Sequence, residues 1–108
     1  MQHIFIELDD RDRRAPLVRV TGEIDQQTVD ELYDMLDMLD EEAERLQLDL
    51  RGVSFIASAG ITFLLRAARH LAIEVVAASR PVRRVLDMTR LSEPFGLADD
   101  DDGERRIS

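Results

Sequence analysis

Asp49-Leu-Arg-Gly-Val-Ser-Phe-Ile-Ala-Ser-Ala-Gly-Ile-Thr-Phe-Leu-Leu65 is the stretch whose reading decides the fold. A β-branched and apolar run breaks at Ser58-Ala59-Gly60 and resumes with helical spacing, so a strand feeds a helix through a short serine-glycine turn. That turn sets the Ser58 hydroxyl at a helix N-terminus. Unpaired backbone N–H groups and the positive end of the helix dipole favour a phosphate or another anion there. The place suits a switch.

Working outward, strands and helices alternate. Ile4–Leu8 and Leu17–Thr21 read as strands joined through a hairpin loop of Asp9–Arg14 and Pro16. Gly22-Glu23-Ile24-Asp25 reads as a turn into a helix over Gln27–Glu44. Val29, Leu32, Tyr33, Leu36 and Leu39 supply that helix's apolar stripe, and Asp30, Glu31, Asp34 and Asp37 its opposite face. Leu46–Leu50 alternates as a third strand. Ile61, Leu64, Leu65, Ala68 and Leu71 form the expected buried stripe of a second helix, and Glu74–Ala77 a fourth strand. Pro81 suits the first turn of a third helix that turns Val82, Val85 and Leu86 inward. After Phe95-Gly96-Leu97 the run Asp99–Asp102 opens an acidic tail of the kind expected to be disordered. The pattern predicts an α/β domain over residues 1–98, a mixed sheet of about four to five strands with helices mainly on one face, and a tail over 99–108.

Composition narrows the function. At 108 residues and 44% hydrophobic, the chain makes one domain with a modest core. No apolar run is long enough to cross a bilayer, and polar positions soon follow Met1, so the reading expects a cytoplasmic chain without membrane insertion or a secretory signal. Zero cysteines exclude disulfides and thiol chemistry. The absence of lysine excludes Schiff-base catalysis and a phosphate-loop lysine. His3 and His70 are too few for a metal site, and the acidic face of Asp30, Glu31, Asp34 and Asp37 has neither a histidine nor a glycine-rich loop beside it, so it reads as solvated. The net charge of −9 is uneven: residues 1–50 carry 15 acids against 5 arginines, whereas residues 51–98 carry 3 acids against 7 arginines. Nucleic acid is an unfavourable partner for so acidic a chain.

Gly22-Glu23-Ile24-Asp25, then Leu48 to Gly60, then Ser79-Arg-Pro-Val-Arg-Arg-Val-Leu-Asp-Met-Thr-Arg-Leu91, together resemble the three hallmark stretches of STAS domains of the anti-sigma factor antagonist type. In that family the segment before the second helix reads Asp-Ser-Ser-Gly or Asp-Ser-Thr-Gly. Its first serine is phosphorylated by a serine kinase that is also the anti-sigma factor. The resemblance lays that serine on Ser58, with Ala57 in place of the acid and Ala59 in place of the second hydroxyl residue. It implies a non-catalytic protein that binds the anti-sigma factor, frees a sigma factor and is switched off by phosphorylation, with no cofactor and no small-molecule ligand.

The implied partner surface comprises Glu23, Asp25, Ala57, Ala59, Gly60 and Thr62 around the phosphoacceptor. From residue chemistry alone, Ser58 and Asp25 also read as helix N-caps, Ser54 as structural, Thr62 as satisfying backbone in the first turn, and Arg83 and Arg84 as solvated helix charges. Two other roles within the same family remain: the non-catalytic STAS subunit that binds the ATPase of a lipid-transport complex, which the two alanines favour, and a scaffold of a stress-sensing assembly.

Overall fold

A computed structural model describes residues 3–97, in the element order β1 (Ile4–Asp9), β2 (Leu17–Ile24), α1 (Val29–Asp37), β3 (Arg45–Ile56), α2 (Ser58–Ala67), β4 (Ala72–Ala78) and α3 (Arg80–Met88). The sheet runs β1-β2-β3-β4. β1 and β2 pair antiparallel as a hairpin, and β2, β3 and β4 are mutually parallel. Parallel neighbours need a crossover, which α1 and α2 provide. The acidic tail expected over 99–108 lies outside the described residues.

Alternation along the strands sorts the two faces. Val18, Val20 and Ile24 on β2, and Leu46, Leu48, Leu50 and Ile56 on β3, are buried with Leu32, Phe63, Leu64, Val82 and Leu86 of the helices in one core. Tyr33 of α1 meets Phe63 of α2 edge to face, with ring centroids 5.0 Å apart. The opposite face is open, with Arg19, Asp49 and Arg51 beside the exposed Phe5. There Asp49, only 7% exposed, accepts from the Arg51 backbone N–H (3.1 Å) and from its Nε (3.1 Å) and Nη2 (2.8 Å), with the Arg19 guanidinium 3.6 Å away. The hydrogen bonds from the Arg51 side chain hold the Asp49 carboxyl below the usual carboxylate range, against the opposing effect of burial. A carboxylate lowered in the folded state stabilises the fold at neutral pH, and that contribution is lost as pH falls through its folded value.

Several boundaries differ from the sequence reading, each for a local reason. α1 stops at Asp37 instead of running to Glu44. Asp40 turns its carboxylate onto the Glu42 amide (2.8 Å), an alternative to helix that aspartate offers readily, and the Glu44 amide bonds the Arg14 carbonyl (2.8 Å) on the way into β3. Gly22-Glu23-Ile24 is not a turn but the end of β2, paired with Val53, Phe55 and Ile56 through a register shift at Gly22/Glu23. Gly22 holds that shift with a φ of +121°, and a Cβ there would lie 2.8 Å from the His3 carbonyl oxygen. β3 extends past Leu50 to Ile56, and β4 spans Ala72–Ala78. The buried stripe of α2 is Gly60, Phe63, Leu64 and Ala67; Leu65 and Ala68, expected inside, are exposed. Phe95 and Leu97 close the core, the Phe95 carbonyl accepting from the Val75 amide at 2.7 Å along the edge of β4.

Candidate functional site

Three parallel strands end on one edge of the sheet, β2 at Ile24, β3 at Ile56 and β4 at Ala78, and each leads to a helix start. The outer ends of parallel strands are where α/β sheets place their working loops. The Ala57 amide donates to the Ile24 carbonyl at 2.8 Å, which ties the entry of α2 to the exit of β2. Residues 23–25 and 57–62, separated in sequence, are thereby neighbours.

Ser58 is the first residue of α2 and is exposed; the expected serine-glycine turn is absent, because Ser58-Ala59-Gly60 form the first turn of the helix and Ala57 alone joins it to β3. It is not the N-cap. Ala57 occupies that position with φ −93° and ψ 177°, and its carbonyl takes the amides of Gly60 (2.9 Å) and Ile61 (3.3 Å). Alanine has no side-chain acceptor, so the helix start lacks the cap that Ser, Thr, Asp or Asn would supply. The positive dipole end of α2 therefore has no side-chain acceptor, and Ser58 is the first residue there. Replacing Ala57 with Asp should raise stability by about 1 kcal/mol, seen as a melting temperature higher by roughly 4–8 °C. An unchanged or lower melting temperature would contradict the cap assignment.

Gly60 is buried, not exposed to a partner. A Cβ there would stand 2.6 Å from Ile56 Cγ1 and 2.7 Å from Ile24 Cγ2, so its contribution to the surface is to let the first turn of α2 lie against both strands. Ala57 and Ala59 are half-buried beside the serine. Thr62 is exposed one turn beyond Ser58 on the same face, in the second turn of the helix and not the first.

Asp25 accepts at Oδ1 from the Gln27 amide (2.9 Å) and the Thr28 amide (3.0 Å) in the turn before α1, whose N-cap is Thr28 and not Asp25. Its own amide donates to Thr28 Oγ1 (3.0 Å), and that hydroxyl donates to the Glu23 carbonyl (2.7 Å). Thr28 is wholly buried and stitches the Glu23–Asp25 segment in place. The sequence reading passed over it, although Asp25 and Thr28 have the three-residue spacing of reciprocal capping. Glu23 is half-buried. Ser54 donates to the Gly22 carbonyl at 3.4 Å, in keeping with a structural role. Ser79 caps α3, accepting from the Val82 amide at 3.4 Å while its hydroxyl donates to the Val53 carbonyl. Arg84 is exposed and Arg83 half-buried. Among the described residues no group of three or more His, Cys, Asp or Glu is placed to hold a metal ion, and no helix is long and apolar enough to cross a membrane.

The comparisons with known proteins agree with this fold. A family model described as Mlab, STAS domain, matches residues 8–98. The fold is similar to that of an anti-sigma factor antagonist from Mycobacterium paratuberculosis, at 28% identity and a TM-score of 0.77 over 96% of this chain and 92% of that one. It is similar also to the anti-sigma factor antagonist SpoIIAA in its unphosphorylated form, at 19% identity and a TM-score of 0.75 over 95% of this chain and 96% of that one. The phosphorylated form of SpoIIAA, the Bacillus cell fate determinant, aligns at 18% identity and a TM-score of 0.67 over 96% of this chain and all of that one. No curated protein matches the chain.

Proposed function

Because the chain belongs to the STAS domain family, we propose that it is an anti-sigma factor antagonist whose binding surface is switched by phosphorylation of Ser58. The observation that carries the reading is the exposed hydroxyl on the first residue of α2, at the strand-end edge beside Glu23 and Asp25. Likeness to an anti-sigma factor antagonist at 28% identity supports it. Unphosphorylated, the surface of Glu23, Asp25, Ala57, Ala59 and Thr62, with Gly60 beneath, binds a serine-kinase anti-sigma factor and frees the sigma factor. The kinase then places on Ser58 roughly −1.5 to −2 charges and three acceptor oxygens. The helix end tolerates the anion, whereas the interface has to desolvate it, so binding is lost without refolding. The chain is the kinase's substrate and carries no catalytic role of its own in this cycle.

A second reading, binding to the ATPase of a lipid-transport complex without phosphorylation, is favoured by Ala57, which leaves the serine without the acid and cap of the antagonist pattern. Size-exclusion chromatography separates the two. The chain, added to a preformed complex of sigma factor and serine-kinase anti-sigma factor from the same genome, should shift the anti-sigma factor into a complex with itself and release free sigma factor. If the sigma complex persists with every such pair, the antagonist reading fails.

A further inference from the structure

Ser58, Thr62 and Leu65 recur at helical spacing along the exposed face of α2, and Arg69 follows in the turn beyond its end. Leu65 is 48% exposed, although its neighbours Phe63 and Leu64 are buried. It lines an open groove of about 400 Å³ together with Ala68, Leu71, Leu91, Pro94 and Phe95. Two arginines are chain neighbours of groove residues, Arg69 next to Ala68 and Arg90 next to Leu91. Both are exposed, and neither forms an ion pair among the described residues. Glu93 is the acid on the Leu91–Phe95 wall, and it lines the adjoining opening with Arg45 and Glu74.

Arg90 has a left-handed backbone, with φ 62°, at the end of α3, a position that favours glycine. A strained residue that keeps an unpaired charge beside an apolar groove points to a use for that charge. We propose that the groove, continuous with the Ser58 face through Leu65, takes an apolar and acidic segment of the protein partner. Its leucine-type side chains would cover Leu65, Leu91 and Phe95, and its carboxylates would meet Arg69 and Arg90. The inference rests on the proposed function only for the identity of the protein that supplies the segment.

The probe is a synthetic amphipathic helix with leucine at i, i+3, i+4 and i+7 and glutamate between, compared with a twin in which lysine replaces glutamate. Titrated into the isotopically labelled full chain, the glutamate peptide should shift the amide resonances of Leu65, Ala68, Leu91 and Phe95. The lysine twin should bind at least tenfold more weakly. Leu65→Asp should weaken the glutamate peptide at least tenfold. Arg90→Gly should weaken it several-fold while raising the melting temperature, a combination that a purely structural arginine would not give. Equal or tighter binding of the lysine twin, shifts centred elsewhere, or no shifts at all would overturn the proposal. Because peptide binding is read without kinase or ATP, its failure is distinct from a failure of Ser58 to accept phosphate.

Discussion

Gly60→Val is expected to destabilise the domain by about 2–3 kcal/mol, the upper part of the range for forcing extra methyl groups into a packed site. The added Cβ would begin 2.6 Å from Ile56 Cγ1 and 2.7 Å from Ile24 Cγ2, and the β-branch would add two methyls to a space that has no room for one carbon. Relief requires α2 to lift from the ends of β2 and β3, which also moves Ser58 away from Glu23 and Asp25. At roughly 4–8 °C per kcal/mol for a domain of this size, the melting temperature should fall by more than about 8 °C. Thermal and urea unfolding followed by circular dichroism measure it, and an unchanged melting temperature would mean that the first turn of α2 is not held against the strands.

Ser58→Asp tests a different property of the same turn. The side chain is exposed, so the substitution creates no cavity and no clash. A carboxylate at the helix start gains about 0.3–1 kcal/mol from the dipole, so stability should hold or rise slightly. Affinity for the anti-sigma factor should nevertheless fall at least tenfold, which corresponds to about 1.4 kcal/mol, because a charge in the contact surface must shed water and meets no partner. Titration calorimetry provides the comparison. Equal affinity of the wild type and Ser58→Asp, with both folded, would favour the phosphorylation-independent reading.

The strand-to-helix break around Ser58 was legible because extended apolar patterning gives way there to helical spacing, although the Ser58-Ala59-Gly60 triplet that reads as a turn is the first turn of α2 itself. The order of the elements, the hairpin and the first turn of α3, which holds Pro81, followed from equally local signals. What misled the reading was tertiary. Leu64 belongs to both candidate stripes of α2, and helical spacing alone does not say whether Leu65 or Phe63 accompanies it inward. The choice is made by Gly60, whose missing side chain lets that side of the helix approach Ile24 and Ile56. The extension of β2 through Gly22 similarly depends on pairing with β3 across a register shift, which a glycine in isolation presents as a turn. At the site, the positions of Ser58 and Asp25 were readable, but their division of labour was not. Cap and hydroxyl fall on adjacent residues, Ala57 and Ser58, and only the backbone angles separate them. Thr28 was overlooked because a threonine between Gln27 and Val29 attracts no notice until its hydroxyl is seen bridging Glu23 and Asp25.

The central claim, that Ser58 is the acceptor through which this surface is switched, is tested most directly by locating the phosphate. The full chain, incubated with a serine-kinase anti-sigma factor from the same genome and ATP, is digested and sequenced by tandem mass spectrometry beside Ser58→Ala. The account predicts a single phosphate on Ser58 in the wild type and none in Ser58→Ala. A phosphate on Ser54 or Thr62, or undiminished phosphorylation of Ser58→Ala, would contradict it.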